Sequence, residues 1–267
     1  MRRRWIADTF SPATGHPTTA ALTGDQAHHL AHVLRATPGQ VFDVVANGFL
    51  HRAEITAVSD HEVRFLLHEE IEASSALPLH LLLAVFKFDH MEWAIEKATE
   101  LGVARITPIL ARRTEKHLAQ AATKRVERWR RIALEAAKQS RRTDIPEIAD
   151  PATLKAALES ESSPTRILLS ETEQINTLAA ALNALAQPHH ERQEETVRVP
   201  HPSQPHREGW EEQPCIALAI GPEGGWTPEE MSLFTDHHWQ HVTLGPRILR
   251  AETAAIAAIA IVSSHLN

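Results

Sequence analysis

The spacing of apolar and polar positions changes character near residue 76. Before that point short stretches alternate in period two: 41–46, 49–58 and 63–68 read as strands, separated by the turn pairs Asn47-Gly48 and Ser59-Asp60. Upstream, Thr23-Gly24-Asp25-Gln26 reads as a capping box that opens a short helix through His28, Leu30, Val33 and Leu34. A meander of this size closes most easily on itself, so residues 1–75 are expected to form a small β-barrel domain.

Beyond residue 76 continuous apolar strands alternate with helical periodicity. Residues 79–86 read as one apolar strand; Asp89-His90-Met91-Glu92 then starts a helix with Met91, Ala94, Ile95, Ala98 and Leu101 on one face. Gly102 can end that helix, and 105–110 returns as a strand, which makes a βαβ unit. A basic helix follows, with Val126, Trp129, Ala133 and Ala136 spaced to pack inward. Then come a strand at 167–169, a helix at 174–186, a strand at 215–220, a helix opened by Thr227-Pro228-Glu229-Glu230, a strand at 242–244 and a last, almost wholly apolar helix at 251–266. Such alternation predicts an α/β domain over 76–267, its mostly parallel sheet covered on both faces. Residues 188–214 interrupt the rhythm with five prolines, six acids and few apolar side chains. They predict an exposed loop to which no chemistry is assigned.

Composition narrows the setting. Cys215 is the only cysteine, so one chain builds neither a disulfide framework nor a thiolate zinc site. The basic start lacks an apolar signal core, and the longest apolar runs, 77–88 and 254–263, are too short to span a bilayer; a cytoplasmic protein with no membrane partner is expected. A formal net charge of −7 argues against a polyanionic ligand until its distribution is considered. Between positions 112 and 142 stand eleven Lys or Arg against three Glu, too few acids within the window to pair them. The window reads equally as a solvated helix face or as a nucleic-acid contact.

Two segments carry candidate chemistry. In 217–226, Ala-Leu-Ala-Ile-Gly-Pro-Glu-Gly-Gly-Trp, a buried strand enters a turn containing Gly221, Gly224 and Gly225 and then a capped helix. Glycines there let a ligand approach the backbone. No Gly-Lys-Ser/Thr follows, and the spacing is not that of a dinucleotide fingerprint. In 244–254, Leu-Gly-Pro-Arg-Ile-Leu-Arg-Ala-Glu-Thr-Ala, a second loop links a strand to a helix, and two such loops on one sheet would face a common crevice.

Together with His29–Arg35 (His-Leu-Ala-His-Val-Leu-Arg), Glu96–Val103 (Glu-Lys-Ala-Thr-Glu-Leu-Gly-Val) and Ala133–Arg142 (Ala-Leu-Glu-Ala-Ala-Lys-Gln-Ser-Arg-Arg), these segments resemble the RsmE-type family of 16S rRNA (uracil-N3)-methyltransferases of the SPOUT superfamily. The resemblance covers nearly the whole chain. It implies a PUA-like RNA-binding barrel followed by a SPOUT domain whose C-terminal helix forms a trefoil knot, a rare exception among folds. It also implies a homodimer acting on the small ribosomal subunit, with S-adenosyl-L-methionine bound in the knot and no metal. On this chain the cofactor residues would be Leu169, Ser170, Glu171, Ile220, Gly221, Pro222, Glu223, Gly224, Gly225, Leu244, Gly245, Ile248 and Leu249. Two departures stand out: 188–214 is long for the family, and Arg141 occupies a place where a small or neutral residue is expected.

Methylating N3 of uracil requires loss of an imide proton, while the sulfonium already activates the methyl group. Positioning, a proton acceptor and a cation facing the flanking carbonyls are therefore needed. Arg250 and Arg247 are candidates for the cation, Glu223 or Glu252 for the acceptor; the same arginines could instead bind phosphates, and the glutamates could brace loops. Arg35, Arg112, Arg113, Lys116, Arg141 and Arg142 are the candidate RNA contacts. His28 and His32, a helical turn apart among eighteen histidines, lack a third ligand, so no metal is expected. Trp129 is expected in the core rather than stacked on a base. A non-catalytic RNA-binding or ribosome-assembly protein is the alternative of another class.

Overall fold

A computed structural model describes residues 4–12, 17–71, 76–140, 142–186 and 216–266. The chain divides into two compact units, one of Met1–Ala76 with Arg131–Ile145, the other of Leu77–Arg130 with Pro146–Asn267.

The first unit contains β1 (Arg4–Ile6), β2 (Thr9–Ser11), β3 (Thr19–Thr23), α1 (Gly24–His28), β4 (Val41–Ala46), β5 (Phe49–Val58) and β6 (Glu62–Ile71). They form one sheet in the order β1-β4-β5-β6-β3-β2, antiparallel except for the β1–β4 pair. The sheet curls: Ala7 N donates to Val45 O of β4 and the next residue, Asp8 N, to Ala21 O of β3, so one short segment ties both sides of the sheet (2.8 and 2.9 Å). Alternate residues Val44, Ala53, Ile55, Val63 and Phe65 point into a core closed by Leu22, Ala27 and Leu30. Asn47 and Gly48 both have positive φ (51° and 81°), the conformation that a two-residue hairpin between right-twisted strands needs.

The second unit holds β7 (Leu77–Ala84), α2 (Phe88–Glu100), β8 (Val103–Leu110), the start of α3 (Lys116–Ser140), β9 (Glu147–Ile148), β10 (Ala152–Thr153), α4 (Leu154–Ser160), β11 (Thr165–Leu169), α5 (Leu178–Ala186), β12 (Ile216–Ile220), α6 (Pro228–Asp236), β13 (Gln240–Val242) and α7 (Ala251–Leu266). Strand order is β10-β8-β7-β12-β11-β13, with β9 also on β8, and the pairs among described residues are parallel. Both faces are covered. Leu82, Ala84, Ile109, Leu168, Ala217 and Ala219 pack with α4 and α6, while the opposite face carries α2 and α7. That explains why β7 and β12 are apolar at nearly every position rather than at every second one. Among the described residues no helix is long and apolar enough to cross a membrane.

Several local expectations change. Thr23 precedes α1 but forms no capping bond; its N and Oγ1 both turn to Asp8 Oδ2 (2.7 and 3.2 Å), and the helix continues as a π-helical turn at His29–Val33. The helix after β7 starts at Phe88, behind Lys87, without a side-chain cap from Asp89. The helix expected at 174–186 starts at Leu178, because Glu173 Oε1 gathers the N–H groups of Gln174, Ile175 and Asn176 (3.0, 2.8 and 3.0 Å) into a separate turn. The short strands β1, β2, β3, β9 and β10 and helix α4 carry too little periodicity to be expected from sequence. The loop proposed at 188–214 lies outside the described residues. Trp129 is fully buried, its ring 6.0 Å from Phe88.

Candidate active site

The site is built at the carboxyl ends of three neighbouring strands. Register sets Leu83 beside Ile220, Leu168 beside Ala219 and Leu169 beside Val242, so β11, β12 and β13 finish level and release their loops on one edge. In parallel sheets this edge is where ligands bind.

Each loop is fixed by its own sequence. After β12, the turn 221–225 closes with Gly225 N donating to Pro222 O (2.8 Å), and Gly225 has φ +68°. Thr227 and Glu230 then form a reciprocal capping box for α6: Thr227 N donates to Glu230 Oε2 (2.9 Å), and Glu230 N donates to Thr227 Oγ1 (3.3 Å). Glu230 is buried, and its Oε1 also accepts from Arg112 N (2.8 Å), tying the loop after β8 to the same helix start. After β13, Thr243 Oγ1 accepts from Gly245 N (3.2 Å), while Thr243 N donates to Asn176 O (2.8 Å) and Thr243 O accepts from Leu178 N (2.9 Å). The loops after β11 and β13 are thereby stitched together. Glu173 has its carboxyl held below the usual range, chiefly by the Asn176 and Ile175 N–H groups.

Between these loops lies a cleft of about 950 Å³ lined by residues 169–174, 220–223, 225–226 and 242–251 together with Arg113, Thr177, Met231 and Ala254. Its size falls in the range of roughly 300–1,000 Å³ common for small-molecule sites. Glycine is required in two different ways. A Cβ on Gly221 would lie 3.0 Å from Trp226 Nε1, so the buried indole would have to give way by a few tenths of an ångström to admit a side chain. Gly245 has φ +118° with nothing within 4 Å of a Cβ, so there the backbone, not crowding, demands glycine. The cradle fits a ligand with an apolar, ring-sized body and polar ends: Leu169, Ile220, Leu244 and Leu249 supply apolar wall, and Arg113, Glu171 and Glu223 supply charge.

Of the expected cofactor residues, all but Gly224 line the cleft; Gly224 sits just behind it, against the Arg113 side chain. Arg247 and Arg250 line it and are exposed, as is Glu223. Glu252 does not line it. It is 4% exposed on α7, with Oε1 3.4 Å from His90 Nδ1 of α2. Arg113, expected with the RNA contacts, lies in the cleft wall, a placement that a contact across 111 positions hides from sequence. Thr172, Thr177 and Thr243 also line the cleft; no local motif marks them.

The basic window is less bare than its own acids suggest, because partners come from outside it. Arg125 and Arg128 share Glu92 (3.3 and 2.6 Å), and Arg125 also lies 4.7 Å over the Phe88 ring. Arg130 bonds Glu127 and Asp150 (2.7 and 3.0 Å). Arg142, in the first unit, is buried against Asp144. Among the described residues, Lys116, Lys124 and Arg131 form no ion pair, and all three are exposed; Arg35, in the first unit, is exposed with φ +50°. Arg141 lies outside the described residues. Among those described, no three His, Cys, Asp or Glu converge as a metal would need. The His28 and His32 rings pack at 4.5 Å.

Fold and site define an RNA methyltransferase: a family profile for the RNA methyltransferase domain matches residues 73–263, and one for the RNA methyltransferase PUA domain matches 22–67. The chain belongs to the family of ribosomal RNA small subunit methyltransferase E. The Synechocystis member is 33% identical over 93% of this chain and 74% of its own length, and the Bacillus subtilis member 30% identical over 98% and 96%. Among solved structures, the enzyme of that name from Neisseria gonorrhoeae, bound to S-adenosyl methionine, covers 99% of this chain and 98% of its own with 27% identity and a TM-score of 0.72.

Proposed function

We propose that the protein transfers the methyl group of S-adenosyl-L-methionine to N3 of a uridine in 16S ribosomal RNA, as a cytoplasmic homodimer. The observation that carries this reading is the cleft itself, formed by three loops from one sheet edge with glycine at 221, 225 and 245. Kinship with a small-subunit methyltransferase seen with the same donor supports the choice of ligand.

In this reading Leu169, Ser170, Glu171, residues 220–225, Leu244, Gly245, Ile248 and Leu249 hold the donor, with the apolar side chains against its adenine. The bound donor supplies an electrophilic methyl group. The chain's own task is to orient the uracil, accept the N3 proton and stabilise the charge that develops on the flanking carbonyl oxygens. Arg247 and Arg250, which line the cleft without an ion-pair partner among the described residues, are suited to the last of these. Glu223, exposed at the cleft, is suited to take the proton. Glu252 is the weaker acceptor, since its carboxylate faces His90. The first domain, over residues 1–75, is read as an RNA-binding PUA-like barrel. Arg112, Lys116 and Lys124 in the second unit, and Arg35 and Arg131 in the first, are each read as contacts to RNA phosphates. The resemblance behind this reading also implies that the C-terminal helix forms a trefoil knot.

Mass spectrometry of ribosomal RNA from a strain lacking the gene tests the substrate: 3-methyluridine disappears from 16S RNA and returns on complementation. An unchanged level removes this substrate. Affinity for RNA should fall steeply with added salt, as counterion release at phosphates requires.

A further inference from the structure

Arg113 is the cation that the cleft holds most firmly. Its backbone belongs to a turn pinned at three points: Thr114 N donates to Ala111 O (3.1 Å), Arg112 N to Glu230 Oε1 (2.8 Å), and Thr114 Oγ1 to Val85 O (2.9 Å). From that anchor its side chain lies along the 222–225 turn. The guanidinium donates through Nη1 to Gly224 O, and the stem is so close that a Cβ on Gly224 would meet Arg113 Cδ at 3.3 Å. That bond uses one of five guanidinium N–H groups. Across Gly225 stands Glu171: a Cβ there would lie 3.8 Å from Arg113 Nη1 and 3.7 Å from Glu171 Oε2. Among the described residues no ion pair joins the two heads. A cation and a carboxylate thus stand side by side in the wall, not paired with one another.

The other charges at the cleft are placed differently. Glu173 is committed to three backbone N–H groups; Glu223, Arg247 and Arg250 are exposed, as Arg113 and Glu171 are, but among the described residues none of those three is fixed to a neighbouring turn in the way Arg113 is fixed to Gly224 O.

We propose that Arg113 and Glu171 form the subsite for the amino-acid end of the methyl donor, Arg113 taking its carboxylate and Glu171 its ammonium group. This rests on the donor occupying the cleft, as argued above. Adjacent opposite charges match a zwitterion, and a planar guanidinium with spare donors is the side chain best shaped for a carboxylate. A preorganised cation suits a ligand bound at every turnover, because no side-chain ordering has to follow binding.

Calorimetry on the full-length protein separates this role from a merely structural one by comparing S-adenosylhomocysteine with 5′-methylthioadenosine, which keeps the nucleoside and sulfur but lacks the amino-acid end. Arg113→Ala is expected to weaken S-adenosylhomocysteine by roughly 10- to 100-fold, the worth of a charge-assisted bond, and to leave methylthioadenosine unchanged. Arg113→Lys keeps the charge without the fork and should fall between; Glu171→Gln should show the same selectivity more weakly. If Arg113→Ala weakens both ligands equally, the residue only props the Gly224 turn and the inference falls. If neither ligand changes, it falls as well, with the donor site intact. If neither binds the unaltered protein, the reading of the cleft fails first.

Discussion

The two ends of the parallel sheet treat polar groups in opposite ways. Toward the amino end, His80 on β7 lies level with Ala217 near the start of β12 and joins a closed circuit: Nδ1 to Glu161 Oε2 at 2.5 Å, Nε2 to Thr107 Oγ1 at 2.7 Å, with Glu161 Oε1 accepting from Ser163 N at 2.7 Å. All four residues are buried. At the carboxyl end, Glu223, Arg247 and Arg250 stand exposed around a cleft floored by glycine. Burial at the first end obliges every polar atom to find a protein partner, and the partners fix the loop before β11. Exposure at the second end leaves charge available to a ligand, and stability there must come from backbone ties such as those of Thr243 and Glu173. One sheet thus separates holding itself together from handling a substrate.

The most severe way to break this comparison is His80→Leu. It leaves Glu161 buried without its partner, and loss of one member of a buried pair costs about 3–5 kcal/mol. Urea denaturation measures the loss, while the protein that remains folded should bind S-adenosylhomocysteine normally. A loss below about 1 kcal/mol would show that the circuit is ornamental.

Acid should act on the same circuit with a somewhat smaller effect. Burial pushes the Glu161 carboxyl up, but its bonds to His80 and Ser163 outweigh that and hold it at about 2, below the ordinary 4.5. A lowered carboxyl contributes stability that is complete above the unfolded value and is lost as pH falls toward the folded one. The window is therefore from 4.5 down to about 2, and the contribution at neutral pH is about 3 kcal/mol. Glu161→Gln should flatten the stability profile across that window; an unchanged acid limb would assign the loss to other groups.

How far the two ends could be read in advance follows the range of their contacts. The carboxyl end was legible because its parts are local: apolar run, glycine-bearing turn, capped helix, each within ten or so positions of chain. The capping box at Thr227 formed as its spacing predicts, and the glycine loops came together because consecutive parallel strands end level. The amino end was not legible. His80 and Glu161 are separated by 81 positions, and neither lies in a pattern that marks a polar core. Arg113 escaped for the same reason, since a run of basic residues gives no hint which one folds back across 111 positions onto a glycine turn. The charge surplus on α3 overstates the cations left free, because Glu92 and Asp150 pair Arg125, Arg128 and Arg130 from segments that window counting ignores.

The mildest substitution sharpens the contrast most. Gly245 has φ +118° and open space around a would-be Cβ, so Gly245→Ala introduces no clash and asks only that the backbone leave a conformation L-residues avoid. The loop is half-exposed, and its ties to Thr243 lie on one side only. Relaxation should stay local, costing about 1 kcal/mol of global stability. The side chains that follow, Ile248 and Leu249, belong to the cleft wall, so a displaced loop withdraws apolar surface from any ligand there. S-adenosylhomocysteine binding is expected to weaken by about tenfold, equivalent to roughly 1.4 kcal/mol, although the protein melts only a few degrees lower. At the sealed end the ratio is reversed, with a large loss of stability and none of affinity. If Gly245→Ala instead unfolded the protein as deeply as His80→Leu while sparing affinity, the division of labour between the two ends would be wrong.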